Sequence, residues 1–301
     1  MNLHHLQHFL AIADKGSVRA AAEALGLSQP AISKSLRVLE TELGARLIEL
    51  GARGSTLTTF GSVLYARAKL IGNELESVTH EIRQLAGHGS GRVSLGSSAT
   101  LAIVFLPEVV HAFQQRNPGA EIHVVGGLPS LLLPRLADGS LDLVVGPRPV
   151  QPLSQQIDSL PLITTPSVIA VRQGHRLARA RSLKEFTEAR WVLNSSASHA
   201  ESSLHAAFAA LSLPGPRIGV RADSFQAAYA LIAKSDFVGL MPKYLLEDRL
   251  IHNVLVFVNV PEFSASDSVE LFFRKDVPMS ALARSFADHL KSETRRSLSK
   301  S

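Results

Sequence analysis

Three residues, Gly26-Leu27-Ser28, are the whole connection between two amphipathic segments near the start of this 301-residue chain. Upstream of them, Leu6, Phe9, Leu10 and Ala13 recur at i, i+3, i+4 and i+7, which predicts a first helix ending by Lys15 and Gly16. Ser17 is a good N-cap for a second helix, which carries Val18, Ala21, Ala22 and Leu25 at the same spacing until Gly26 stops it. Ser28 then caps a third helix with Pro30 in its first turn, where a missing N–H loses no intrahelical bond. Ile32, Leu36, Leu39 and Leu43 supply that helix's apolar face, leaving Gln29, Ser33, Lys34 and Arg37 on the other side.

Two short helices joined by a Gly-containing turn, the second with an outer face of amides, hydroxyls and cations, form the helix-turn-helix pattern. Gln can read adenine edges, Lys and Arg can read guanine or hold phosphates, and N–H groups at helix starts favour phosphate oxygens. Periodicity alone also fits a three-helix bundle whose polar face is merely solvated. Charge does not separate the two readings. Residues 1–57 carry six cations (Lys15, Arg19, Lys34, Arg37, Arg46, Arg53) and five anions (Asp14, Glu23, Glu40, Glu42, Glu49), a net of +1. Over the whole chain 31 Lys plus Arg against 26 Asp plus Glu permit an anionic partner without requiring one.

The absence of Cys removes disulfides, thiolate-ligated zinc, Fe–S clusters and thiol redox chemistry. The first residues lack the basic start and continuous apolar core of a signal peptide, and the longest uninterrupted apolar stretch, 101–107, is far too short for a bilayer. A cytoplasmic protein with no membrane partner is expected. The length predicts about two domains, each able to bury its own core.

From Thr58, a suitable N-cap, apolar residues run Phe60, Leu64, Ala68, Ile71, Leu75, Val78, Ile82, Leu85 in steps of three and four. That stripe predicts a helix of roughly 39 Å at 1.5 Å per residue. It ends at the flexible run Gly87-His88-Gly89-Ser90-Gly91, which fits neither dinucleotide nor P-loop spacing and is read as a hinge. A seam close to period 3.5 suits pairing with a second copy, and the alternative is a helix lying across its own domain.

Beyond residue 91 short apolar strands alternate with helical stretches, an α/β pattern with parallel pairing. Strands are predicted at 92–96, 121–125 and 141–146, with helices at 101–116 and 129–138 between them. A second set follows: strands near 167–171, 217–220, 237–240 and 254–258, helices near 200–211 and 224–234. Two similar halves are implied. Ser97, Ser98 and Thr100 follow the first strand and precede a helix, so hydroxyls and backbone N–H groups converge where an anion is favoured. Asn194 to Ser198, including Ser196, and Ser224-Phe225 occupy comparable turns. Each of these hydroxyls is equally suited to capping the helix behind it. Their recurrence points to a ligand cleft for an organic acid.

Catalytic and metal signatures are weak. His4, His5 and His8 place imidazoles one turn apart, yet no carboxylate at helical spacing completes a site, so a solvated helix face is the simpler reading. His80-Glu81 lacks the second His of a zinc-protease helix, and Gly89-Ser90-Gly91 has the wrong spacing for a nucleophile elbow. Asp142 resembles a catalytic acid on a strand, with a structural role the simpler reading. No cofactor and no metal are expected. An enzyme built on the α/β part is the minor alternative, and it needs convergent acid and base groups where the sequence offers mainly hydroxyls and apolar residues.

The run FLAIADKGSVRAAAEALGLSQPAISKSLRVLETELGARL, followed by LTTFG, resembles the N-terminal domain of the LysR-type transcriptional regulators. Gly16-Ser17, Ala20-Ala21, Leu25, Ser28-Gln29-Pro30-Ala31, Ser33, Leu39-Glu40, Leu43-Gly44, Leu47 and Leu57-Thr58 carry the resemblance, which is dense over residues 1–60 and looser from 91 onward. It implies an all-α, winged helix-turn-helix domain at 1–58, with the helix-turn-helix at 17–37, then a linker and dimerisation helix at 59–87 and a hinge at 88–91. A two-lobed, periplasmic-binding-protein-like effector domain at 92–301 follows, with lobe I at 92–162 and 268–301 and lobe II at 163–267. Double-stranded operator DNA would meet Ser28, Gln29, Pro30, Ala31, Ser33, Lys34 and Arg37, with Arg53 on phosphate. Where the family usually has Phe and Arg in an "LFxR" stretch, the chain reads Leu47-Ile48-Glu49-Leu50, so one wing Arg is missing and weaker phosphate anchoring is expected. Thr100 matches the family's usual effector-contacting Ser or Thr. Pro129 falls where a second is common, with Ser130 one residue later. Dimers, a tetramer and contact with RNA polymerase are implied by the resemblance alone. A DNA-binding protein whose α/β part serves only assembly is the runner-up.

Overall fold

The computed structural model describes residues 1–51, 54–86, 91–193 and 198–298. The chain divides into two compact units, Met1–Gly87 with Asp138–Ser140, and His88–Ala137 with Leu141–Ser301.

The first unit opens with α1 (Leu3–Lys15), α2 (Val18–Leu25) and α3 (Gln29–Leu43). Ser17 and Ser28 act as the sequence predicts: Ala20 N–H donates to the Ser17 hydroxyl at 3.1 Å and Ala31 N–H to that of Ser28 at 3.4 Å. Leu6, Phe9, Ile12, Val18, Ala21, Ile32, Leu36 and Leu39 are buried together. Leu25 and Leu43 are not: each is the last residue of its helix, and a left-handed glycine turns the chain away immediately after it. A hairpin, β1 (Ile48–Gly51) paired antiparallel with β2 (Gly54–Leu57), follows. Glu40 fixes its root, one carboxylate oxygen accepting the N–H of Leu47 at 2.8 Å and that of Ile48 at 3.4 Å.

α4 (Thr59–Leu85) starts where the Thr58 hydroxyl accepts from Gly61 N–H at 3.0 Å and donates to the Arg46 carbonyl at 2.7 Å. A Cβ on Gly61 would stand 2.0 Å from the Leu47 carbonyl oxygen, so only glycine lets this helix approach the hairpin root. The predicted seam divides in two. Leu64 and Ala68 pack into the unit's own core, whereas Phe60, Ile71, Leu75, Val78 and Ile82 remain exposed. The Leu85 side chain lies outside the described residues.

The second unit runs β3 (Arg92–Ser97), α5 (Ala99–Val104), α6 (Leu106–Arg116), β4 (Glu121–Gly126), α7 (Pro129–Ala137), β5 (Leu143–Pro147), β6 (Ile157–Arg172), β7 (Arg190–Leu193), α8 (His199–Ala210), β8 (Arg217–Arg221), α9 (Phe225–Lys234), β9 (Phe237–Pro242), α10 (Arg249–His252), β10 (Leu255–Val258), β11 (Ala265–Arg274) and α11 (Ala281–Leu298). Strand order is β4-β3-β5-β11-β6-β9-β7-β8, with β10 on β6. Pairing is parallel within β4-β3-β5 and within β9-β7-β8, the α/β pattern the sequence predicts. β6 and β11 are long antiparallel strands that pass from one half to the other.

Several expectations change. The helix expected at 101–116 is two helices, interrupted at Phe105 with Pro107 in the first turn of the second, where proline is tolerated and a continuing helix is not. The strand expected at 167–171 is the end of a 16-residue strand. β7 and the short α10 carry no signal strong enough to be foreseen. Among the described residues no helix is long and apolar enough to cross a membrane.

Candidate nucleic-acid interface and effector cleft

On α3, Gln29, Pro30, Ala31, Lys34 and Arg37 are exposed, as is the capping Ser28, and Ser33 is half-buried. The apolar stripe faces the core, so the predicted reading face is presented as one surface. From behind, His8 of α1 holds the helix: its Nδ1 lies 2.8 Å from the buried Ser35 hydroxyl. Burial, with His4 and His5 adding to it, pushes the His8 imidazole below its ordinary pKa. Among the described residues no group of three or more His, Asp or Glu is placed to hold a metal. Arg53 lies outside the described residues.

The hydroxyls expected to face a ligand divide by what they already do. Ser97 is fully buried and donates to the Ser98 carbonyl at 3.1 Å, which removes it from a ligand's reach. Ser198 caps α8 by accepting from Glu201 N–H at 3.1 Å, and Ser224 caps α9 by accepting from Ala227 N–H at 3.3 Å. Phe225 stacks on Tyr229 at 6.0 Å. For these turns the capping reading is the observed one. Ser196 and Asn194 lie outside the described residues.

Ser98 differs. It stands at the start of α5 yet makes no side-chain capping bond, and its Oγ is 3.5 Å from Thr100 Oγ1. Pro129 is buried near it: the Cβ position of Gly146 would lie 3.5 Å from Pro129 Cγ and 3.9 Å from Ser98 Cβ. The proline thus fills space that a hydroxyl-bearing residue would leave polar, and Ser130 beside it is exposed.

Sequence reasoning missed the residue that meets Thr100. Tyr244, in the turn Lys243–Glu247 after β9, places its hydroxyl 2.6 Å from Thr100 Oγ1. Its ring packs edge-on against Phe105 with centroids 5.2 Å apart. Burial pushes the phenol pKa up, and the nearby charge of Asp267 adds to that, while the Thr100 bond works against it. Asp267 itself accepts from the Ser167 hydroxyl at 2.8 Å, tying β11 to β6. Thr100 and Tyr244 belong to different halves, so the two halves meet at a strand-to-helix turn of each. A search of turns after predicted strands would have reached Tyr244, because Pro242-Lys243-Tyr244 follows the strand foreseen at 237–240.

Asp142 is structural here. Its carboxylate accepts Ser94 N–H at 2.7 Å while its own N–H donates to the Ser94 carbonyl at 2.8 Å, an arrangement that fastens the approach to β5 onto β3.

A helix-turn-helix head and a two-halved α/β domain with polar groups at strand C-termini define a DNA-binding protein that answers to a ligand. Residues 86–295 match the LysR substrate binding domain, and residues 3–62 match the bacterial regulatory helix-turn-helix protein, lysR family. The SDS degradation transcriptional activation protein of a Pseudomonas species is 31% identical over 251 residues, 83% of this chain and 81% of that protein. The HTH-type transcriptional regulator GbpR of Azospirillum brasilense is 28% identical over 290 residues, 94% of this chain and 84% of its own length. Among solved structures, CbnR, a LysR family transcriptional regulator, has the same fold, with a TM-score of 0.74 at 21% identity over 98% of this chain and 99% of its own. Full-length CbnR complexed with its target DNA gives 0.72 at 20% identity, over 97% and 100%. The chain belongs to the LysR-type transcriptional regulators, effector-responsive DNA-binding proteins and not enzymes.

Proposed function

We propose that this regulator senses a small organic acid in the cleft between the halves of its second unit, at Ser98, Thr100 and Tyr244. The carrying observation is the 2.6 Å contact of Thr100 with Tyr244, a bond made between the halves at the turn where a ligand anion would dock. A carboxylate there gains hydroxyl and backbone N–H donors. Asp267, whose charge bears on Tyr244, favours an acid that also carries a hydroxyl or amine donor. Binding then shifts the balance between two arrangements of the domain by its differential affinity for them, and the DNA-binding heads respond.

On the DNA side, Gln29, Ser33, Lys34 and Arg37 read the operator's major groove, with Ser28, Pro30 and Ala31 at the helix start and Arg53 on phosphate. The domain boundaries in this reading are those expected from the sequence, 1–58, 59–87, 88–91 and 92–301. The exposed residues of α4 suit pairing with a second copy, and a tetramer and contact with RNA polymerase in the cytoplasm complete the reading.

Thermal melting of the full-length protein against carboxylates, sulfonates and neutral analogues tests it, with mass-action stabilisation as readout. A selective rise for one acid, lost in Thr100→Val, supports the cleft assignment. No rise with any compound, in protein that still protects a palindromic DNA site, would favour an α/β part that serves assembly.

A further inference from the structure

We propose that the second unit carries another ligand site, outside the cleft, for an organic anion with an apolar tail. In the half that contains β3, β5 and β11, β6 is the edge of the sheet: residues 157–166 pair with β11, and β9 joins β6 only from Ser167 onward. α11 covers this sheet through Leu282, Phe286 and Leu290. Between the helix and the β6–β11 edge lies an open cavity, a groove of about 480 Å³. Sites for drug-sized organic molecules span roughly 300–1,000 Å³.

The floor of the cavity is apolar. Leu160, Leu271 and Phe273 line it from the two strands, and Met279 lines it from the loop before α11. Leu160 and Leu271 are cross-strand partners, yet Leu271 is buried while Leu160 keeps 37% of its surface exposed. The sheet's packing is therefore unfinished at this edge.

The rim is cationic. Arg284 and Lys291 stand two turns apart on α11 and Lys275 follows β11. Among the described residues these three side chains make no ion pair. These three cations line the cavity against two carboxylates, Asp276 and Asp288, while Arg274, also in the lining, is engaged by an interaction of its own. An apolar floor below an excess of positive charge is complementary to an alkyl carboxylate or sulfate, the tail leaving water on the floor and the head meeting guanidinium or ammonium. A bare inorganic anion would leave the floor wetted. A strand from another chain is disfavoured, because Pro161 removes a donor from the edge strand.

Titration calorimetry of the full-length protein with hexanoate, octanoate and decanoate below their micellar range tests the site, with octanol and inorganic sulfate as controls. Affinity is expected to rise about fourfold per added methylene until the cavity is filled. Octanol and sulfate are expected to bind at least tenfold more weakly than octanoate. Arg284→Gln should weaken octanoate about tenfold without changing octanol, Leu160→Glu should abolish both, and Thr100→Val should change neither. Both changed positions in the site are solvent-accessible, and unchanged melting of the variants confirms that they fold. Affinity independent of chain length, equal binding of octanol and octanoate, wild-type binding in Arg284→Gln and Leu160→Glu, or loss of binding in Thr100→Val, which would put the ligand in the cleft, each overturns the proposal.

Discussion

The Thr100 hydroxyl and the Tyr244 phenol satisfy each other at 2.6 Å, although 144 residues separate them and each comes from a different half of the ligand-binding domain. With its pKa raised by burial, the phenol stays protonated at physiological pH, so the contact is a neutral hydrogen bond whose loss leaves a polar group in a dry place.

Where Thr100 donates to the Tyr244 oxygen, an acid that takes that hydrogen must displace the phenol from it. Tyr244→Phe therefore tightens effector binding by roughly threefold to tenfold, the value of one net hydrogen bond of about 0.5–1.5 kcal/mol. Calorimetry with the compound found by the melting screen reads this directly. Weaker binding in the variant would mean that the phenol holds the ligand instead of guarding its place.

Arg37 lies on the exposed face of α3, opposite the helix's buried stripe. Arg37→Ala is expected to cost about 1–3 kcal/mol of operator affinity if the guanidinium reads a base edge, with unchanged thermal melting. Wild-type affinity at physiological salt would remove Arg37 from the reading surface.

Leu50 is 68% exposed on β1 and occupies the position where the family usually has the wing arginine. Leu50→Arg adds one phosphate contact: DNA affinity rises, and the slope of log affinity against log salt becomes steeper by about 0.9. An unchanged slope would show that this wing does not reach the backbone.

Protonating His8 works against the folded head. Burial holds its folded pKa below the ordinary 6.5, so unfolding raises its proton affinity. Its contribution to stability is complete above pH 6.5 and is lost as pH falls below that value. His175, also depressed by burial, acts with the same sign in the second unit. Comparing the parent with His8→Gln between pH 7.5 and 5.5 isolates the first effect, and a stability difference that stays constant with pH would refute it.

Much of the head was legible because its signals are local. Ser17, Ser28 and the glycines after each helix act within four residues of themselves, so spacing alone places them. The role of Glu40 was not legible, since its partners, the N–H groups of Leu47 and Ile48, are found only once the chain has folded back. In the second unit, hydroxyls at strand ends were correctly located in the sequence, but Ser198 and Ser224 proved to be caps and Ser97 turned into its own loop. Sequence gives the position of a hydroxyl and not the destination of its hydrogen. β7 escaped because four residues, Arg190–Leu193, are too few to display alternation, and their side chains are buried by residues distant in sequence, Trp191 against Phe186 and Phe208.

Among the described residues, β6 and β11 form the ladder through which the strand order passes from one half of the second unit to the other. Any opening or closing that keeps the hydrogen bonds intact must be a bend or twist of that two-stranded ribbon, which confines the motion to few directions. The register shift between Val269 and Glu270 lies within it, a point where the ribbon already departs from regular pleating. In the proposed switch, sequence change there alters how far the domain travels while leaving Ser98, Thr100 and Tyr244 as they were, so sensitivity and selectivity can evolve separately.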